Sequence, residues 1–126
     1  MTQHGKFIWN ELMTRDLEGS KSFYRSVLGW DYTSVDMGTG PYTLIGSQEA
    51  PGGGIMHMQG VEFDQVPAHW MAYVEVDDVD AAAARVSEAG GSVLQPPFDV
   101  PSVGRIAIIA DPSGASLGIM TSAEQG

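Results

Sequence analysis

The sequence contains no cysteine, which excludes disulfides, thiolate nucleophiles and Cys-ligated zinc or iron–sulfur sites but leaves His and carboxylate metal sites open. Basic residues are also scarce. Six Lys and Arg stand against 16 Asp and Glu, and the resulting net charge of −10 sets up a long-range field that repels phosphate backbones and anionic lipid surfaces. Neither nucleic acid nor a membrane surface is an expected partner, and the acidity itself reads as a device for solubility. No apolar run approaches the roughly 18 residues of a membrane span, and Met1-Thr2-Gln3-His4-Gly5-Lys6 lacks the apolar core of a secretion signal, so a cytoplasmic location is expected. Common catalytic signatures are missing as well. Gly52-Gly53-Gly54 is not followed by Gly-Lys-Ser or Gly-Lys-Thr, no Gly-x-Ser-x-Gly elbow occurs, and Asp77, Asp78 and Asp80 depart from the spacing of a calcium loop.

What is present is an ordinary globular balance, 43% hydrophobic and 17% charged over 126 residues, enough for a single domain with one shared core. Inside it a pattern recurs. Asp16 opens an apolar helical series, Leu17, Ser20, Tyr24, Val27 and Leu28, that stops at Gly29; Asp78 opens another, Val79, Ala82, Val86 and Ala89, that stops at Gly90-Gly91. Cap and stop repeat at one offset, since 78 − 16 = 62 and 91 − 29 = 62. The same offset pairs Leu12 with Val74, Glu49 with Asp111 and Gly52 with Gly114, which points to an internal duplication.

Each copy has a β-rich run before its helix, Lys6 to Thr14 and His69 to Val76, and three shorter runs after it. In the first copy these are Trp30 to Asp36, Tyr42 to Gly46 and Gly54 to Met58, separated by turns at Gly38-Thr39-Gly40-Pro41 and Pro51-Gly52-Gly53. In the second they are Ser92 to Gln95, Gly104 to Ala110 and Ser116 to Met120, interrupted at Pro96-Pro97 and at Asp111-Pro112-Ser113-Gly114. The expectation is an α+β chain, one domain over 1–126, made of two βαβββ modules at about 6–58 and 68–120 joined by a linker at 59–67.

Asp16-Leu17, Phe23-Tyr24 and Leu28-Gly29-Trp30, with Asp78-Val79-Asp80-Ala81, Gly90-Gly91, Val103-Gly104-Arg105 and Asp111-Pro112 plus Gly114, resemble the vicinal oxygen chelate superfamily of glyoxalases, bleomycin-resistance proteins and extradiol dioxygenases. The resemblance covers nearly the whole chain. It implies two modules that pair their sheets into a U-shaped trough holding a ligand or metal, and a homodimer. It also implies where metal ligands would stand: seven residues before each capping aspartate, at Trp9 and Met71, and on the last strand of each copy, at Gly118 and, one offset of 62 earlier, at Met56. None of these side chains is a ligand for magnesium, manganese, iron or zinc, so neither a metal nor another cofactor is expected. A displaced metal site would need Glu11, His69 and Glu75 to converge.

Strand alternation puts Phe7, Trp9, Glu11 and Met13 on one face, Met71, Tyr73 and Glu75 on its repeat, and Met56 and Met58 opposite. Aromatic rings and methionines suit a moderately hydrophobic small molecule, although the same side chains could simply fill a core. Glu11 stands out as an acid within an apolar strand. Facing such a lining it becomes a candidate general acid or base, or an anchor for a ligand; a salt bridge with Arg105 or partial solvent access is the plainer alternative. His57 alternates to the other face and reads as a surface residue. Three functions follow: a small-molecule binder, a lyase or isomerase of the glyoxalase type using a displaced metal or Glu11, and a protein–protein module.

Overall fold

The computed structural model describes residues 3–36, 40–100 and 103–123. Met1-Thr2 and the Gly38-Thr39 part of the expected turn lie outside the described residues. The elements run β1 (Phe7–Thr14), α1 (Leu17–Leu28), β2 (Tyr32–Asp36), β3 (Pro41–Ile45), β4 (Gly53–His57), a 3-10 turn (Val61–Phe63), β5 (His69–Glu75), α2 (Val79–Ala84), β6 (Ser92–Val100), β7 (Gly104–Ala110) and β8 (Ser116–Ser122). The order βαβββ thus occurs twice, as the sequence pattern predicts. The chain divides into two compact units, one covering Trp9–Met71 and the other joining the part up to Ile8 to the part from Ala72 onward.

In the first unit the strand order is β2-β3-β4-β1, with β2, β3 and β4 antiparallel and β1 parallel to β4. The parallel pairing requires a crossover, and α1 opens it. The Asp16 carboxylate accepts from the Gly19 amide at 3.0 Å, satisfying one of the unpaired N–H groups of the first turn, and Gly29 closes the helix in the left-handed conformation at φ 75°. One sheet face packs Leu12, Ile45 and Ile55 with Leu17, Tyr24, Trp30 and Tyr32. Ile55 is only 1% exposed. Beside this core Tyr24 stacks on Trp30 at 5.3 Å, and Trp70 meets Tyr24 edge-on at 5.7 Å while donating its Nε1–H to the Tyr24 hydroxyl at 3.3 Å. The linker is tied down: the Arg15 guanidinium donates to the carbonyls of Phe63 and Val66.

The second unit has the order β5-β8-β7-β6, again with one parallel pair, β5 and β8. Asp78 caps α2 by accepting from the Ala81 amide at 3.1 Å. Val76, Val79, Ala107 and Ile119 form its core. Thr121 ties helix start to strand, accepting from the Val79 amide and donating to the Val76 carbonyl.

Three sequence expectations need correction. α2 ends at Ala84 rather than near Ala89: from Arg85 the chain closes tighter i→i+3 bonds, Val86 to Ala83 and Gly90 to Ser87, because β-branched Val86 and Ser87 are poor helix formers. β6 does not stop at Pro96-Pro97 but runs through both to Val100. It is the outer strand of its order, where a residue without an N–H leaves no ladder bond unmade, and two register shifts around the prolines absorb the misfit. Those shifts also break the offset of 62. Glu11 pairs with Gly54 and Tyr73 with Gly118, so the last strands stand 118 − 54 = 64 residues apart while the first strands stand 73 − 11 = 62 apart. The last-strand position equivalent to Gly118 is therefore Gly54, not Met56, and the 62-residue match of Gly52 to Gly114 is a coincidence of spacing.

Candidate functional site

β1 sends Leu12 into the helix-side core, and the strand period of two puts Trp9, Glu11 and Met13 on the other face. The ladder places Glu11 beside Gly54 and Met13 beside Met56, and Leu44 of β3 pairs with Gly54, so Tyr42, two residues along β3, shares this face. The Tyr42 hydroxyl donates to Glu11 Oε2 at 2.5 Å, and the Trp9 Nε1–H reaches the same hydroxyl at 3.4 Å. Glu11 is buried, 9% exposed, whereas Trp9 and Tyr42 are half-buried. An acid in this position needs a hydrogen-bond donor to remain buried, and the phenol supplies one.

The glycine opposite Glu11 makes the contact possible. A Cβ on Gly54 would run into the hydroxyl and ring of Tyr42, so the absence of a side chain lets that ring lie across β4 and reach β1. In the second unit the equivalent Gly118 lies under the ring of Tyr73 in the same way.

The other predicted site residues spread out. Phe7 is 70% exposed and lines nothing enclosed. Met56 is half-buried and pairs with Met13 in the ladder, whereas Met58 is 2% exposed and serves as packing rather than lining. Met71 and Tyr73 are buried. Glu75 accepts from the Ser122 amide at 3.0 Å and from the Ser122 hydroxyl, closing the end of β8. His69 turns its Nδ1 to the Pro67 carbonyl at 2.8 Å, and His57 its Nε2 to the Arg15 carbonyl at 3.0 Å.

Arg105 bonds Asp80 at 2.7 and 3.1 Å and Asp99 at 3.1 Å. The Arg105 hydrogen bonds hold Asp80 below the usual carboxylate range, and Asp80 in turn raises Arg105. Asp111 is likewise lowered, first by the Ser113 hydroxyl and then by the backbone N–H groups of its turn. Burial raises Tyr32 against the opposing pull of Arg25.

The donor set does not fit a metal. The first-strand positions carry an indole and a thioether, Trp9 and Met71, and the last-strand positions carry Gly54 and Gly118, each already covered by a tyrosine ring. Among the described residues no group of three or more His, Asp or Glu side chains is placed to hold an ion, and His69 and Glu75 have the local partners given above. No helix among the described residues is long and apolar enough to cross a membrane. Tyr42 is the site residue that sequence reasoning missed. Its alternation with Leu44 was available, but nothing local to β3 tells that Gly54 leaves room for its ring.

Comparison with known proteins agrees with this architecture. The model of the Glyoxalase/Bleomycin resistance protein/Dioxygenase superfamily matches residues 6–119. CFP32 of Mycobacterium tuberculosis, whose name carries only a provisional glyoxylase assignment, is 39% identical over 128 residues, covering 99% of this chain and 47% of that protein. The anthracycline biosynthesis protein DnrV of Streptomyces peucetius is 37% identical over 133 residues, covering 92% of this chain and 48% of that protein. The chain thus spans about half the length of these relatives. Among solved structures, methylmalonyl-CoA epimerase from Mycobacterium tuberculosis superposes with a TM-score of 0.60 at 16% identity, covering 98% of this chain and 93% of the other, a likeness of fold alone. The duplicated βαβββ order, the parallel pairing of first and last strands and the match over residues 6–119 show that the chain belongs to the Glyoxalase/Bleomycin resistance protein/Dioxygenase superfamily.

Proposed function

We propose that the chain binds a small, moderately hydrophobic organic molecule against the face of the first unit that carries Trp9, Tyr42, Met13 and Met56, with Glu11 at its polar end. The observation that carries this reading is the buried Glu11 carboxylate, held by a half-buried phenol beside an indole on the face away from the helix-side core. Rings and thioethers offer stacking and adaptable packing, and one polar cluster fixes orientation. The name of DnrV, an anthracycline biosynthesis protein, supports an organic molecule as the ligand class. In this reading the protein works as a cytoplasmic homodimer without a resident metal, and the acidic net charge argues against nucleic acid and anionic membranes as partners.

A second reading, a lyase or isomerase with Glu11 as acid or base, draws on the same short contact between phenol and carboxylate. Native mass spectrometry with metal analysis of the purified protein separates the two. An organic mass on a dimer free of stoichiometric metal is the expected result. A stoichiometric divalent ion, or chelator-sensitive turnover of a hemithioacetal, would overturn the metal-free binder.

A further inference from the structure

Both glycines that stand at the last-strand ligand positions of this fold lie beneath tyrosine rings, Gly54 under Tyr42 and Gly118 under Tyr73. The two arrangements arise differently. Tyr73 comes from β5, the strand paired directly with Gly118, whereas Tyr42 comes from β3 and crosses β4 to reach β1. Tyr42 carries its hydroxyl to the carboxylate of Glu11, which stands at the position that Tyr73 itself fills in the second unit.

The geometry points to Tyr42 as the residue that reads a hydroxyl group on the bound molecule, with Glu11 as its positioning residue and Gly54 as the seat of its ring. The ligand class is a planar aromatic bearing a hydroxyl, such as a phenol or naphthol. This rests on the binding face proposed above and adds its selectivity. The Tyr42 O–H donates a hydrogen bond to Glu11, which orients the hydroxyl and leaves its oxygen as the acceptor end of the couple; the Trp9 Nε1–H already points to that oxygen at 3.4 Å, a long bond. Glu11 is buried and Tyr42 half-buried, and in the proposed pose the ligand hydroxyl donates to the phenol oxygen rather than to the carboxylate behind it. Trp9 and the Met13–Met56 pair supply the flat and deformable surface around it.

The test is isothermal titration calorimetry with 2-naphthol and its methyl ether, two probes of nearly one shape that differ in the hydroxyl donor. Wild type is expected to bind 2-naphthol about tenfold tighter than the ether, the size of one added hydrogen bond. Tyr42→Phe keeps the ring on Gly54 and should bring the two affinities together while leaving that of the ether unchanged. Gly54→Ala, which displaces the ring, should also abolish the preference for 2-naphthol over the ether, with both affinities falling. Equal affinities in wild type would overturn the hydroxyl reading and leave the binding face standing, whereas binding of neither probe would overturn both. A naphthol preference kept or enlarged in Tyr42→Phe would place the ligand hydroxyl on Glu11 and refute the role of Tyr42. Circular dichroism of each variant separates loss of selectivity from loss of fold.

Discussion

Glu11 and Tyr42 show how one buried acid organises its surroundings. The Glu11 side chain is shielded from water and accepts a hydrogen bond from the phenol at 2.5 Å, so removing that donor should be felt in stability as well as in binding. Tyr42→Phe is expected to cost about 1–3 kcal/mol in urea unfolding at neutral pH, and less in a Glu11→Gln background, where the carboxyl group that accepts from the phenol is gone. An additive double mutant would deny the coupling. Glu11 was legible in the sequence because an acid inside an apolar strand is conspicuous. Tyr42 was not, since its place depends on a ladder between β3 and β4 and on the missing side chain of Gly54, both set by tertiary pairing. Two surface carboxylates carry a pH dependence. Asp80 and Asp111 lie below their ordinary values in the folded chain, so each contributes stability above the usual Asp range near ~4 that is lost as pH falls through the depressed values. Asp111→Asn should lower the melting temperature at pH 7 and flatten its decline on acidification; an acid slope equal to wild type would exclude Asp111 from that loss.

At the level of elements, local signals were read well and non-local ones were not. Asp16, Gly29 and Asp78 act within a turn of their own helix, and the helix starts fall where the sequence puts them. Replacing Asp16 by Ala should destabilise the protein by about 1 kcal/mol, and Asn should restore most of it, as expected for a side chain that accepts from the Gly19 amide. The early end of α2 and the passage of β6 through Pro96-Pro97 depend on neighbours, namely a run of i→i+3 turns and an outer position in the strand order. The linker offers a further check. Arg15 holds the carbonyls of Phe63 and Val66, and Arg15→Ala is expected to make residues 59–67 the first site of limited proteolysis. Cleavage elsewhere first would show that the clasp does little.

For the whole molecule, one βαβββ order occurs twice with different side chains at matching ladder positions. The copies share helix caps and the ladder position of a last-strand glycine, yet one has an acid with a tyrosine laid across to it and the other has the tyrosine itself. Residues that define the scaffold are the ones a resemblance can carry, while those that would hold a ligand are the ones in which the copies differ. The functional reading therefore depends on one face of the first unit. That face carries Trp9, and the two other tryptophans of the chain, Trp30 and Trp70, pack with Tyr24 beside the helix-side core. The indole N–H resonances of the three tryptophans, followed by NMR as 2-naphthol is added, report the two sides separately. Movement of the Trp9 signal with Trp30 and Trp70 still is the predicted result; movement of Trp30 and Trp70 with Trp9 unchanged would put the ligand elsewhere and contradict the account.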